Sequence, residues 1–541
     1  MWLLLLLLQD APETRAQDPA VEWLESITAD RLREHVAFLA SDDLGGRLAG
    51  FPGSKQAAEY IEKRLAAAGL EPLGDRGESG RSFLQAFHPD RAKELTTHNV
   101  VALLKGSDEK LRDECVVIGA HYDHVGRDDQ KPMARARRGK ATEEDKIWNG
   151  ADDNASGAAA LIEIARAAAS RKIRPRRSVL FVFFSAEEWG LLGSKHFVEH
   201  PPAEFPVERM AAMVNLDMIG RNDSRPCGIY GLGTEKGELF ENAVKGAVEL
   251  ARLDARLLKT ASAAGGDSDH SSFRHRKIPI IFFFTGSHAD YHAVTDHADK
   301  LCYGNMERIG RAAAALIGAL ADLPERPVFD PEAAKPSVKT PSVRFKLGVM
   351  PDYLEPTDEE LAKLGLGKDE GVLPIKSVTP GGVGERAGVK AGDMIVSIAG
   401  EKLPRQEPIV RYMELLNTRV KPHEPCEIVV LRSGERVVLQ AVWGNRLGIN
   451  VRPVADEERL AKLGLGAEQG AVEVESVGPE SAAAAAGLQE GDLILSLGGR
   501  ILPRKETFEK LQQILDSLPN EPADLEIFRK EERLKLRVAW K

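Results

Sequence analysis

Five residues in the first 300 have the types and positions of metal ligands: His121, Asp153, Glu188, Asp217 and His292. Each stands just past an apolar, β-rich run or in the loop that follows one, the runs being Cys115 to Ala120, Ser178 to Ser185, Met210 to Leu216 and Lys277 to Thr285. Two imidazoles with three carboxylates form a hard-to-borderline donor set, which suits zinc or a similar divalent ion better than a thiolate site would. Five donors are too many for one catalytic zinc, which keeps an open position and takes three protein ligands. One shared carboxylate gives three per ion across a pair roughly 3.5 to 4 Å apart. Asp153 is the candidate bridge. Glu187, beside Glu188, follows the apolar run LFVFF, which delivers it to the same place and argues against a solvated surface charge.

The segments around these residues are GAHYDHVG (119–126), NGADDNASG (149–157), SAEEWGLLGS (185–194), NLDMIGR (215–221) and YHAVTD (291–296). In this order they resemble the co-catalytic zinc aminopeptidase family, whose relatives include glutamate carboxypeptidases and glutaminyl cyclases. The resemblance implies two Zn2+ ions, one held by His121 and Asp217, the other by Glu188 and His292, with Asp153 between them. It implies Glu187 as the general base toward a metal-activated water, since adjacent carboxylates place one on the metal and the other on the water. Spacing and family together give Asp123 the role of accepting the second N–H of His121. The implied reaction is hydrolytic removal of the N-terminal residue of a peptide. Carboxypeptidase or cyclase chemistry uses the same ligands. A non-catalytic scaffold is the remaining alternative, opposed by the presence of all five ligands and Glu187. His124, His270, His288 and His297 stay outside the metal set, because a lone histidine in a polar loop is more often structural. Asp269 and His270, in SDHSSF, resemble a family segment near the substrate pocket and are read as structural. Residues 127–148, with the basic run MARARRGK, read either as a lid or as a surface loop.

The elements that must position these residues follow from periodicity. From Val21 to Leu70 apolar residues recur at helical spacing, and beyond them short β-rich runs alternate with helical ones. This pattern predicts an α/β domain over residues 18–322, a mixed, mostly parallel sheet with helices on both faces. Ligands far apart in sequence then converge at the carboxyl ends of the strands. A stretch with Pro at 324, 327, 331, 336 and 341 reads as a linker over 323–342. Beyond it LAKLGLG at 361 recurs at 460, and the AG..AGD segment at 387 recurs as AG..EGD at 486. Such units are long enough to fold alone, unlike solenoid repeats. GERAGVKAGDMIVSIAG and AAAAAGLQEGDLILSLGG resemble PDZ domains, giving two small β-rich PDZ-like domains at 343–444 and 445–541. Neither opening loop has the full Gly-Leu-Gly-Phe pattern, so capture of protein C-termini or extended peptides is expected of one unit only.

The chain has 541 residues, 43% of them apolar and 29% charged, as in soluble globular proteins. A net charge of −10 speaks against nucleic-acid binding. The apolar run Trp2 to Leu8, with Thr14-Arg15-Ala16 after it, predicts a signal peptide over 1–17 and a secreted or periplasmic protein. That run is far short of the roughly 20 residues of a membrane span. Four scattered cysteines form no disulfide framework or metal motif, and Cys115 reads as a small buried hydrophobe.

Overall fold

The computed structural model describes residues 22–331 and 345–540, apart from 79, 90–93, 135, 139–140, 222–224, 262–266, 353–355, 357, 368, 380–381, 406–407, 422–423, 444–446, 455, 467, 479–480, 506, 520 and 531. The expected signal peptide lies outside the described residues. The chain forms two compact units, 1–336 and 337–541. Part of the Pro-rich stretch belongs structurally to the first unit. Leu323 is buried in its core, Phe329 forms a bridge with Glu235, and Arg326 donates to the Met210 carbonyl at 2.7 Å.

The first unit is built on a nine-stranded sheet. Its strands are β1 (Glu71–Pro72), β2 (Leu84–Phe87), β3 (Thr97–Leu104), β4 (Cys115–His121), β5 (Ser178–Phe184), β6 (Met210–Leu216), β7 (Cys227–Tyr230), β8 (Ala255–Leu257) and β9 (Ile280–Phe284). The spatial order is β1-β3-β5-β4-β6-β9-β7-β8, with β2 paired to β3. The central strands β5, β4, β6 and β9 run parallel, and antiparallel pairs flank them at β3 and β7.

Both faces of the sheet are covered, which is why the central strands read as unbroken apolar runs. Alternate residues separate the faces. Val116, Ile118 and Ala120 pack with helices α1 (Ala29–Leu39), α2 (Pro52–Ala67), α3 (Gly157–Ala169), α5 (Leu239–Leu250) and α7 (Tyr303–Asp322). Cys115 and Val117 meet Phe197 of α4 (Leu192–Glu199) and Phe273 of α6 (His270–His275). Helix α3, GAAALIEIARAAA, is mostly small residues and nearly all buried, which lets it lie close to the sheet. Its one buried charge, Glu163, meets His35 Nε2 at 3.1 Å, Arg31 Nε at 2.8 Å and Arg166 Nη2 at 2.8 Å, so that α1 is tied to α3. All four cysteines are free thiols, and Cys115 is fully buried in β4.

The second unit contains two six-stranded sheets of the same order. The first is β10 (Val349–Pro351), β11 (Leu373–Val378), β12 (Met394–Ile398), β14 (Pro425–Arg432) and β15 (Glu435–Val442), with β13 (Glu401–Lys402) beside β12. The second is β16 (Ile449–Pro453), β17 (Val472–Val477), β18 (Leu493–Leu497), β20 (Ala523–Arg529) and β21 (Glu532–Val538), with β19 (Arg500–Ile501) beside β18. Each sheet has its own apolar core. The sequence repeat reappears as a repeated ion pair: Arg432 donates to both carboxylate oxygens of Asp393, and Arg529 does the same to Asp492.

Candidate active site

The parallel centre of the sheet brings the distant motifs together. His121 is the last residue of β4, Asp217 follows β6 directly, and Glu187 and Glu188 lie in the turn after β5. His292 stands in the loop after β9, with φ of +57°. Asp153 lies in the irregular turn Ala151–Ser156 that opens α3, and its peptide bond to Asn154 is cis. All are buried or nearly so.

The two carboxylate oxygens of Asp153 face different histidines. Oδ1 lies 3.4 Å from His121 Nε2, and Oδ2 lies 3.2 Å from His292 Nε2. On the first side, Asp217 Oδ1 is 3.4 Å from His121 Nε2, and Glu187 completes a group of donors within 4.8 Å of one another. On the second side, Glu188 Oε2 is 2.9 Å from His292 Nε2. That group has a fourth member absent from the expected set: His124, whose Nδ1 lies 2.8 Å from Glu188 Oε1. Asp153 Oδ2, Asp217 Oδ1 and His292 Nε2 are buried without a well-aligned hydrogen bond, despite these short approaches. Buried charge of this kind calls for cations. Donors that crowd without pairing fit a divalent metal site.

Asp123 differs in detail from its expected part. Its backbone carbonyl, at 3.3 Å, is nearer to His121 Nδ1 than its carboxylate, at 3.8 Å. The carboxylate oxygen Oδ1 instead accepts the backbone N–H of Glu187 at 3.0 Å. Burial pushes the Asp123 carboxyl up to about 7. Burial, opposed by His121 and reinforced by Glu188, Asp269 and Asp217, also raises Glu187 well above the ordinary glutamate range. A carboxyl raised in this way is suited to taking up and returning a proton.

The loops are held by buried polar groups. The fully buried Arg47 donates to the carbonyls of Tyr122, Leu39, Asn149 and Gly150, joining the strand-end loop of His121 to the turn before Asp153. Burial lowers its pKa to about 10 against the opposing pull of Asp123 and Asp153. Asp296 Oδ2 accepts the backbone N–H groups of Asp152 at 3.0 Å and Asp153 at 3.2 Å. Gly150, at φ of +57°, must be glycine: a Cβ there would lie 2.5 Å from the His124 ring and 2.2 Å from the Asp153 carbonyl oxygen.

The other histidines take separate partners. His288 Nε2 lies 3.1 Å from Asp152 Oδ2, His297 Nε2 lies 3.2 Å from Asp145 Oδ2, and His270 stacks on Phe282 at 4.3 Å. Asp269 is fully buried and acts electrostatically on His121 and Asp217, and burial pushes its carboxyl up to about 7. Segment 127–148 packs against the site. His292 Nδ1 lies 3.0 Å from the Ala136 carbonyl, the Arg138 amide donates to the His292 carbonyl at 2.7 Å, and Trp148 packs with Val125 and Val294. Sequence reasoning set His124 outside the metal set and passed over Arg47. Each lies in a Gly-containing turn whose folding direction no periodicity reveals.

Sequence comparison matches residues 99–317 to the model described as Peptidase family M28. Over these residues the chain belongs to peptidase family M28. All five metal-ligand candidates and Glu187 fall within the M28 domain, and Arg47 precedes it. Residues 375–432 and 473–529 each match the PDZ domain model, one in each sheet of the second unit. Among similar proteins, Leupeptin-inactivating enzyme 1 of Streptomyces exfoliatus is 27% identical over 265 residues, covering 49% of this chain and 50% of its own. Aminopeptidase YwaD of Bacillus subtilis is 27% identical over 261 residues, covering 46% of this chain and 51% of its own. The chain thus spans about half the length of these curated relatives. The structure of the Legionella pneumophila LapA aminopeptidase is 24% identical, with a TM-score of 0.43, over 58% of this chain and 76% of that one.

Proposed function

We propose that the M28 domain is a zinc-dependent aminopeptidase, with His121 and Asp217 holding one ion, Glu188 and His292 the other, and Asp153 shared between them. The observation that carries this reading is the position of Asp153, whose two oxygens face His121 and His292 separately. The similarity to proteins named as aminopeptidases supports it. Zinc bound there supplies Lewis-acid polarisation of the scissile carbonyl and lowers the pKa of water. Glu187 accepts the proton of the attacking water and returns it to the leaving amine. Asp123 fixes the Glu187 backbone through its amide. The free amino group of the substrate would bind at one of these ions, which gives exopeptidase selectivity.

One of the two PDZ domains is proposed to bind extended peptides or protein C-termini. Support comes from β10 and β16, which end their sheets and offer an edge to an added strand. Export to the periplasm or the exterior is proposed on the N-terminal apolar run. Among the described residues no helix is long and apolar enough to cross a membrane.

The test is hydrolysis of a panel of aminoacyl amides, N-blocked peptides and C-terminal substrates by metal-loaded full-length protein, chelated protein and Glu187→Gln. Release only from free N-termini, lost in both controls, is the expected result. Intact substrates with two metals bound would overturn the reading.

A further inference from the structure

The basic run of segment 127–148 is unused by the chemistry above, and its two described arginines behave differently. Arg137 is committed within the segment: Nε donates to the Val125 carbonyl at 2.9 Å, Nη2 to the Pro132 carbonyl at 3.2 Å, and the guanidinium lies over Trp148. Arg138 is exposed, and its guanidinium carbon sits 4.9 Å from the centre of the Tyr291 ring. Among the described residues it meets no carboxylate.

The position of Arg138 is fixed by its backbone. Its N–H donates to the His292 carbonyl at 2.7 Å, its carbonyl accepts from Trp148 Nε1 at 3.4 Å, and it bridges Ala293. The Tyr291 ring on which the guanidinium rests is itself 4.0 Å, centre to centre, from the ring of His292. A cation therefore stands one aromatic ring away from a proposed metal ligand, at the solvent-facing edge of a site otherwise dense in carboxylates. A fixed cation at that edge offers a substrate carboxylate a partner beside the reacting centre. The contact with the Tyr291 ring positions the guanidinium, and an exposed guanidinium can bind a carboxylate through two parallel hydrogen bonds.

We propose that Arg138 is a specificity-determining residue that receives a carboxylate of the peptide substrate. The shared chemistry has two sources, the terminal carboxylate of a dipeptide or an acidic side chain beyond the scissile bond. This inference rests on the exopeptidase reading.

The experiment uses the full-length, metal-loaded chain and three substrates: X-Leu, X-Leu-amide and X-Asp-amide, where X is the residue cleaved fastest as its simple amide. Wild-type protein is expected to prefer one or both carboxylate-bearing substrates over X-Leu-amide in kcat/KM. Arg138→Ala is expected to lower that preference at least tenfold, and Arg138→Lys to retain part of it because the charge remains without the planar fork. Loss of preference for X-Leu identifies the terminal carboxylate as the source, and loss for X-Asp-amide identifies the side chain. Equal effects on all three substrates would mean that Arg138 only anchors the segment, and the proposal fails. No wild-type preference also defeats it. Failure of wild type to cleave any simple amide instead defeats the exopeptidase reading, and this inference with it.

Discussion

The Nδ1 atom of His124 lies 2.8 Å from Oε1 of Glu188, while the other oxygen of that carboxylate is 2.9 Å from His292 Nε2. Glu188 is thereby held between two imidazoles, one fully buried and caged against Gly150. His124→Ala is expected to weaken metal binding by roughly 10- to 100-fold, as loss of a group that orients a ligand does. Competition with a chromophoric chelator measures this directly. Unchanged affinity would make the ring a packing element.

Glu187 shares a donor group with His121 and Asp217, but its proposed part is proton transfer. Glu187→Gln is expected to lower kcat by about 10² to 10⁴-fold while metal content, read by elemental analysis, stays at the wild-type value. A variant that keeps more than a tenth of wild-type activity would assign the base elsewhere.

Arg47 gathers four carbonyl oxygens from three segments. Arg47→Met removes the donors and leaves those buried acceptors unsatisfied. The first unit is expected to lose about 3 to 5 kcal/mol of stability. Denaturant unfolding of the intact chain, followed by limited proteolysis to identify the unit that opens, measures the loss. A midpoint equal to wild type would show that water replaces the guanidinium without cost.

The Glu163 cluster makes stability depend on pH. Burial alone would raise this carboxyl, but His35, Arg166 and Arg31 bring it down to about 2, below its ordinary 4.5. A depressed folded-state pKa contributes stability that is present above the ordinary value and lost as pH falls toward 2. Thermal melts of wild type and Glu163→Gln are therefore expected to differ most near neutrality and to converge on acidification. A constant difference from pH 7 to pH 2.5 would contradict the assignment.

Much of the architecture was legible before any tertiary contact was known. Unbroken apolar runs alternating with helical spacing placed β4, β5, β6 and β9, because strands covered on both faces must be apolar throughout. The repeat at 361 and 460 marked two units of one fold, since a recurring pattern of turns and strands of that length forms its own core. Prolines exclude regular structure but do not prevent docking, and Phe329 and Arg326 return to the first unit.

The sequence by itself singled out candidate metal ligands: His121, Asp153, Glu188, Asp217 and His292 are named by donor chemistry and by their place after apolar strands. Only the tertiary structure decided how they share space. The facing of the two Asp153 oxygens, the entry of His124, the use of Asp123 to hold the Glu187 amide and the placement of Arg138 over Tyr291 all depend on turns between elements. Periodicity reports which face of an element is buried, whereas the direction of a side chain in a turn is set by backbone angles and long-range packing, which have no local signature.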